Sequence, residues 1–278
     1  MNFVDISIVC PVYNSKNYVK KTIDSIIKQD LKPREIIFID DGSNDGTPQF
    51  ITEILVNKNL EVKWKIFKST HKGPGAARNI GIKNAKSNWI SFIDSDDIWE
   101  TNKLKKINDI ITLNSEVNFI THNEKYLKID GSILHLNYSK KYNQNKSLGK
   151  QLFQENIFST SAVTCKKSLF LSEGCFDETL MSAQDYEIWL KLSKKIKIYF
   201  LNDFLGTYVE RDGNITSKHW IFRLRNELII LNRYRHYVNF YTYVCRLFLL
   251  ILRFSLKAFF NFFNLKLNKA KMVFLFNL

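Results

Sequence analysis

What this sequence lacks narrows it first. Its longest unbroken apolar run in the C-terminal part, residues 247–252, is far short of the ~20 residues a membrane-spanning helix requires, so spanning is not expected. Cysteine is scarce and scattered. Cys10, Cys165, Cys175 and Cys245 form no C-x-x-C pair and no metal-ligand spacing, which excludes a disulfide framework and a zinc site and fits buried free thiols in a reducing compartment. The N-terminal MNFVDISIVC has no cationic stretch followed by an apolar one and a cleavage site, so no signal peptide is expected and the chain is placed in the cytoplasm. Acidic residues all but disappear from the tail. Residues 218–278 carry 11 Lys or Arg against Glu227 alone, so this segment holds +10 of the formal +14 and points to a polyanionic partner.

What is present is a regular alternation. Residues 6–10 form a continuous β-branched run, as in a strand buried on both faces, and it stops at Pro11-Val12-Tyr13-Asn14. Ser15 is placed to cap a helix bearing Val19, Ile23, Ile26 and Ile27 on one side. The pattern repeats with strand 35–39, the cluster Asp40-Asp41-Gly42-Ser43, and a helix carrying Phe50, Ile51, Ile54 and Leu55. A third strand at 62–67 precedes the small-residue stretch 73–84, and a fourth covers 89–93. Further on come a helix through Leu104, Ile107, Ile110 and Ile111, a strand at 117–121, a hairpin over 125–136 turning on Asp130-Gly131, and a polar loop at 140–150. A short strand running from 159 through 164, a helix from Lys166 and another opened by Gln184-Asp185 complete this part. Such spacing implies right-handed crossovers, a largely parallel sheet, and polar clusters gathered at its carboxyl edge, where ligands of open α/β sheets bind.

The chemistry centres on residues 88–100, NWISFIDSDDIWE. Asp94, Asp96 and Asp97 crowd the point where a buried strand surfaces, and like charges this close are held ionised by a bound cation. With hard oxygens and no nearby His or Cys, the ion expected is Mg²⁺ or Mn²⁺. The plainer reading is a solvated turn with Asp97 or Thr101 capping the next helix. Asp185 likewise reads either as a helix cap or as a base. His71 reads as a loop residue, and Gly73-Pro74-Gly75-Ala76-Ala77-Arg78 as a stretch of small residues that let helix and sheet approach closely.

Five motifs in order, PVYN at 11–14, IFIDDGSNDGT at 37–47, ARNIGI at 77–82, FIDSDD at 92–97 and GCFDETLMSAQDYEIWLKL at 174–192, resemble those of glycosyltransferase family 2. The resemblance spans about residues 6–211. It implies a GT-A fold, α/β with a Rossmann-like, mostly parallel sheet flanked by helices, and inverting transfer of a sugar from a nucleotide diphosphate sugar, UDP-linked in expectation. It places Pro11, Tyr13, Asn14, Asp40 and Asp41 around the donor's base and ribose. Asp94, Ser95 and Asp96 fall on the family's Asp-x-Asp, with Asp96 and Asp94 as metal contacts, and Asp185 falls on the general base. The family usually has Glu before that Asp; here the position is Gln184. Arg78 is a candidate phosphate contact on the residues' own reading, and Arg211 lies where the family carries a pyrophosphate contact.

The organisation expected is a GT-A domain over 1–215 and a basic, aromatic-rich, amphipathic helical tail over 216–278. Aromatic bulk on one side of that tail and Arg or Lys on the other suits an anionic membrane surface, giving a peripheral protein on the inner face of the cell membrane. The acceptor implied is a lipid-linked (polyprenyl-type) glycan or surface polysaccharide. The rival readings are a catalytically silent scaffold of the same fold and a basic nucleic-acid-binding protein. The tail lacks a recognisable RNA-binding motif, so no nucleic-acid partner is expected.

Overall fold

A computed structural model describes residues 3–58, 61–211 and 220–262. The chain divides into two compact units, Met1–Asn214 and Ile215–Leu278.

The first unit is built on one nine-stranded mixed sheet. Its parallel half comprises β1 (Phe3–Val12), β2 (Lys32–Asp40), β3 (Lys63–Lys68) and β4 (Trp89–Phe92), in spatial order β3-β2-β1-β4. Both faces are covered, which explains the unbroken apolar runs. Ile6, Ile8, Cys10, Ile36 and Phe38 join one core with Val19, Ile23 and Ile26 of helix α1 (Val19–Ile27) and Ile51 and Leu55 of α2 (Thr47–Asn57). On the other face α3 (Pro74–Asn84) lies so close that a Cβ on Gly81 would sit 2.4 Å from Val9 Cγ1 and 3.0 Å from Ile39 Cδ1. That close approach comes at Gly81; of the residues expected to provide one, Gly73 and Gly75 face Gln184 instead.

The remaining strands, β5 (Ile98–Trp99), β6 (Phe119–Leu127), β7 (Ile133–Leu136), β8 (Thr164–Lys166) and β9 (Ile198–Val209), make the sheet mixed. β8 runs antiparallel to both β4 and β6, and β9 pairs parallel with β6 and antiparallel with β5. The β6–β7 hairpin turns at the expected Asp130-Gly131. Helix α4 (Lys103–Leu113) joins the core of α1 and α2 through Leu104 and Ile107. After α5 (Tyr138–Lys141) and α6 (Leu148–Gln154) come α7 (Lys167–Glu173) and α8 (Gln184–Leu192). Trp189 of α8 meets Phe119 edge-on at 5.4 Å and Phe176 at 6.1 Å, seating α8 in an aromatic cluster with Phe92 and Phe170.

Several local expectations fail for tertiary reasons. β9 was not expected from the sequence: its burial does not alternate regularly, and it lies along β6 over its length with β5 added at Gly206 and Thr207. The strand expected through 164 starts only at Thr164; Thr160–Ala162 is a 3-10 turn. The polar stretch 140–150 is flanked by α5 and α6 rather than being wholly loop. Ser15 does not cap α1 with its side chain: its carbonyl accepts from Tyr18 N and Val19 N, and its own N–H donates to Thr47 Oγ1 at 2.9 Å. Of the cysteines, Cys10 and Cys165 are buried free thiols, but Cys175 and Cys245 are half-exposed.

In the second unit, α9 (Trp220–Arg233) packs with α10 (Phe240–Phe262). Arg223 Nε donates to Glu227 Oε1 at 2.9 Å. On α10, Leu250 and Phe254 are buried with Arg246 and Arg253 half-buried beside them, while Phe240, Tyr241, Val244, Phe248, Ile251 and Leu252 are exposed. Burial pushes the Arg253 guanidinium down to about 10 against the pull of Glu227. The open face of α10 is thus apolar, and Arg246 and Arg253 lie away from it, toward the packed side. Among the described residues no helix is long and apolar enough to cross a membrane. Lys218 and the tail beyond residue 262, including Lys266, lie outside the described residues.

Candidate active site

Because β1 to β4 are parallel, their carboxyl ends share one edge, with Val12 beside Asp40, Asp40 beside Lys68, and Val9 beside Phe92. The polar clusters meet there as expected. Asn14 accepts from Asn44 N at 2.9 Å through Oδ1 and donates its own N–H to Ser43 Oγ at 3.0 Å. Tyr13, exposed, stacks on His71 with ring centroids 4.1 Å apart. Asp40 is buried and accepts from Ser43 N, shaping the loop after β2. Asp41, equally buried, accepts from Lys72 N at 2.9 Å and Gly73 N at 2.8 Å, so its carboxylate fastens the 71–73 loop. Pro11 is buried inside β1. Among the described residues, the non-glycine positions held left-handed are Asn14, His71 and Ala183, at φ 45°, 49° and 58°. Such backbone costs on the order of 1 kcal/mol each and collects at functional edges.

The DSDD loop forms the centre. Asp94 Oδ1 accepts from Arg78 Nη2 at 2.5 Å, and Arg78 is delivered from α3, buried, with its Cζ 5.6 Å from the Phe176 ring centre. Asp96 is ion-paired with Arg211 at the end of β9, whose Cζ lies 4.7 Å over the Tyr18 ring. Burial pushes the Asp96 carboxyl up, Arg211 opposes the rise, and Asp94 adds to it. Ser95 is buried between them. Asp97 points inward instead: burial, then Asp96, Asp94 and Glu124, hold it well above the usual carboxylate range. It caps nothing, since α4 begins at Lys103 with Asn102 as N-cap.

Beneath this loop lies machinery without a sequence signature. Ser161 Oγ donates to Asp97 Oδ2 at 2.5 Å and accepts from Asp94 N at 3.0 Å, while its carbonyl accepts from Trp99 Nε1 at 3.0 Å and Lys103 Nζ at 2.8 Å. Lys103 is fully buried, its ammonium 3.6 Å over the Trp99 ring. Burial lowers its pKa well below the ordinary lysine value, against the pull of Glu124 and Asp97. Glu124, buried on β6, is pushed up to about 7 by burial, with the hydroxyls of Ser159 and Tyr138 and the charge of Lys103 opposing. These residues sit on unrelated elements, and nothing in periodicity or spacing marks them.

Asp185 lies in the first turn of α8, whose N-cap is Ala183, so the cap reading fails. Its Oδ2 accepts from Asn156 Nδ2 at 2.9 Å. Gln184 is buried and donates to Leu180 O at 2.5 Å, and its chain fills the hollow at Gly75, where a Cβ would lie 3.2 Å from Gln184 Cγ. A glutamate here would aim an ionised oxygen at a carbonyl, so Gln at this position is a packing choice and leaves Asp185 untouched. The same contact sets the start of α8 against the start of α3, placing Asp185 at the edge that Arg78 serves. Asn79 strengthens the link, donating to Phe176 O and Glu178 Oε1 at 2.9 Å and accepting from Phe176 N.

Among the described residues, no group of three or more His, Cys, Asp or Glu side chains is placed to hold a metal unaided. Asp94 and Asp96 nevertheless fit a hard divalent cation of the kind that takes one or two carboxylates and completes its shell with substrate phosphate and water. Both already draw cationic groups, Arg78 and Arg211.

Comparison with known proteins agrees with the fold. The family model for glycosyl transferase family 2 matches residues 7–167. A Rickettsia conorii protein named as an uncharacterized glycosyltransferase is 33% identical over 206 residues, covering 71% of this chain and 32% of its own. The chain spans about a third of the length of the first curated relatives it matches. Among solved structures, Staphylococcus aureus TarS 1–349 in complex with UDP-GlcNAc superposes with a TM-score of 0.69 at 22% identity, over 89% of this chain and 70% of that one. The mannosyltransferase PcManGT from Pyrobaculum calidifontis, in complex with GDP-Man and Mn²⁺, gives 0.61 at 19% identity, over 82% and 63%.

Proposed function

The chain belongs to glycosyltransferase family 2, and from that premise we propose that it transfers a sugar, with inversion, from a UDP-linked sugar donor to a hydroxyl of a lipid-linked glycan or surface polysaccharide. The observation that carries this reading is the meeting of Arg78, Asp94, Asp96, Arg211 and the Asp185 helix at one carboxyl edge. That edge also carries the Tyr13, Asn14, Asp40 and Asp41 loops, suited to a nucleotide base and ribose. Nucleotide-sugar complexes of TarS and PcManGT lend it support.

Asp96 and Asp94 would hold Mg²⁺ or Mn²⁺, which when bound neutralises charge on the departing pyrophosphate. Arg78 and Arg211 are placed to exchange part of their carboxylate pairing for phosphate oxygens. Asp185 accepts the proton of the acceptor hydroxyl as its oxygen bonds to the anomeric carbon, and the carbon–oxygen bond to the nucleoside diphosphate breaks on the opposite face with the electron pair leaving on phosphate. Ser161 and Lys103 keep the DSDD loop in shape from below.

The open apolar face of α10 supports attachment to a membrane surface, and the basic residues of the tail add affinity for anionic lipid. The protein then works peripherally at the inner face of the cell membrane, where a lipid-linked acceptor is available.

The deciding experiment is calorimetric titration with UDP, GDP and CDP, each with and without Mn²⁺. Metal-dependent binding of one nucleotide, lost in Asp96→Ala, is expected; binding of none removes the reading. Asp185→Asn should keep nucleotide affinity and lose transfer, and retained turnover would refute the base assignment.

A further inference from the structure

Asn156 and Ser161 stand five residues apart in one connector between α6 and β8, and they touch the two halves of the proposed site. At one end Asn156 Nδ2 donates to Asp185 Oδ2 at 2.9 Å. Its Oδ1 accepts from Phe158 N at 3.2 Å, which fixes the amide with its nitrogen toward the carboxylate. At the other end Ser161 bonds both Asp97 and the Asp94 backbone. Between them the chain is anchored, with Ile157 and Phe158 buried and the Phe158 ring 4.9 Å from Phe119 and 6.3 Å from Trp189. Five residues of fully extended chain span at most ~18 Å, and these are pinned at both ends and in the middle.

We propose that Asn156 is a positioning residue for Asp185 and that residues 156–161 act as a ruler, setting the base at a fixed place relative to the DSDD loop. This rests on the reading of Asp185 as base. The chemistry of the partner suits the task. An amide is a neutral donor, so it holds one carboxylate oxygen in place while leaving the group's negative charge uncompensated, which an Arg or Lys partner would not do. Asp185 Oδ1 has no hydrogen-bond partner among the described residues, and it is the oxygen left to receive a proton. A carboxylate in the first turn of a helix whose N-cap is Ala183, without a side-chain cap, has little else to select its rotamer. Small misplacement of a reacting group costs up to 100-fold in rate, so a single bond of this kind is expected to show in turnover.

The test uses the full chain and donor hydrolysis, in which water takes the acceptor's place. UDP-, GDP- and CDP-sugars are screened with Mn²⁺, and the donor that wild type hydrolyses fastest is used to compare wild type, Asn156→Ala and Asn156→Asp, each also in an Asp185→Asn background. Asn156→Ala is expected to lower kcat roughly tenfold with nucleotide Kd within twofold of wild type, and Asn156→Asp, which sets like charges together, to lower it further. In the Asp185→Asn background neither change should alter the residual rate by more than twofold, because Asn156 acts only through Asp185. Wild-type kcat in Asn156→Ala, or an equal fall with and without Asp185, overturns the proposal. So does a Kd that rises in step with the loss of rate. Should the alanine variant fail to fold, the aspartate variant carries the same comparison. Hydrolysis of no donor by wild type, or wild-type turnover by Asp185→Asn alone, overturns the base reading itself and is distinguishable from either result.

Discussion

Replacing Glu124 with Gln should make the protein more stable above neutral pH and remove a specific part of its pH dependence. Glu124 is fully buried on β6, and burial raises its carboxyl from 4.5 to about 7. A raised folded pKa means that the folded protein binds more protons than the unfolded chain between those two values. The stabilising contribution is therefore complete below pH 4.5 and is lost as pH rises through 7. Between 4.5 and about 7, at 1.36 kcal/mol for each step of one in pH, the ionised carboxylate comes to cost up to about 3 kcal/mol above pH 7. Glutamine keeps the shape and cannot ionise. Urea denaturation at half-unit intervals from pH 5 to 8 should show the Glu124→Gln variant gaining on wild type as pH rises, reaching up to about 3 kcal/mol at pH 8, or roughly 5–10 °C in Tm for a chain of this size. Glu124→Asp, which keeps an ionisable group, should retain the wild-type slope. A Gln variant with the wild-type slope, or one less stable than wild type at pH 8, would mean that Lys103 and the Ser159 and Tyr138 hydroxyls already compensate the buried charge.

Ser161→Ala removes one donor to a buried carboxylate and one acceptor for the Asp94 N–H, so stability should fall by about 2 kcal/mol by chemical denaturation, with weaker metal-dependent nucleotide binding by calorimetry. Gly81→Ala puts a methyl 2.4 Å from Val9 Cγ1; despite alanine's better helix propensity, it should cost 1–3 kcal/mol, read as a lower Tm. Mn²⁺ alone should bind weakly and tighten at least tenfold with the cognate nucleoside diphosphate, because Asp94 and Asp96 supply too few ligands unaided. Phe248→Glu, on the open face of α10, should weaken co-sedimentation with phosphatidylglycerol-containing vesicles by roughly tenfold or more at unchanged Tm, since a buried Phe side chain is worth about 1.5–3 kcal/mol; unchanged partition would refute the apolar-face reading.

Much of this protein was legible from one strand to the next. The runs at 6–10 and 35–39 are apolar on both faces because helices cover both faces of the sheet, and the polar clusters follow the strands because ligands of such sheets bind at the carboxyl edge. Local pattern was therefore enough to place β1 to β4 and to bring the polar clusters that follow them to one edge. It also singled out Arg78, Asp94 and Asp96, whose charge a buried edge must account for, whereas Arg211 came forward only through the family resemblance.

Only the tertiary structure decided the rest. Ser161, Lys103, Glu124 and Asn156 come from a 3-10 turn, a helix, a strand and a connector, and their roles exist only where these elements cross. Gln184 looked like a weakened carboxylate and proved to be the side chain that fills the hollow at Gly75. In α10 the sequence showed arginines interrupting apolar runs; which face of the helix was packed, and hence that the exposed side is the apolar one, depended on the burial of Leu250 and Phe254. Periodicity reports which residues share a face, but the partner that covers a face is chosen by contacts between segments distant in the chain.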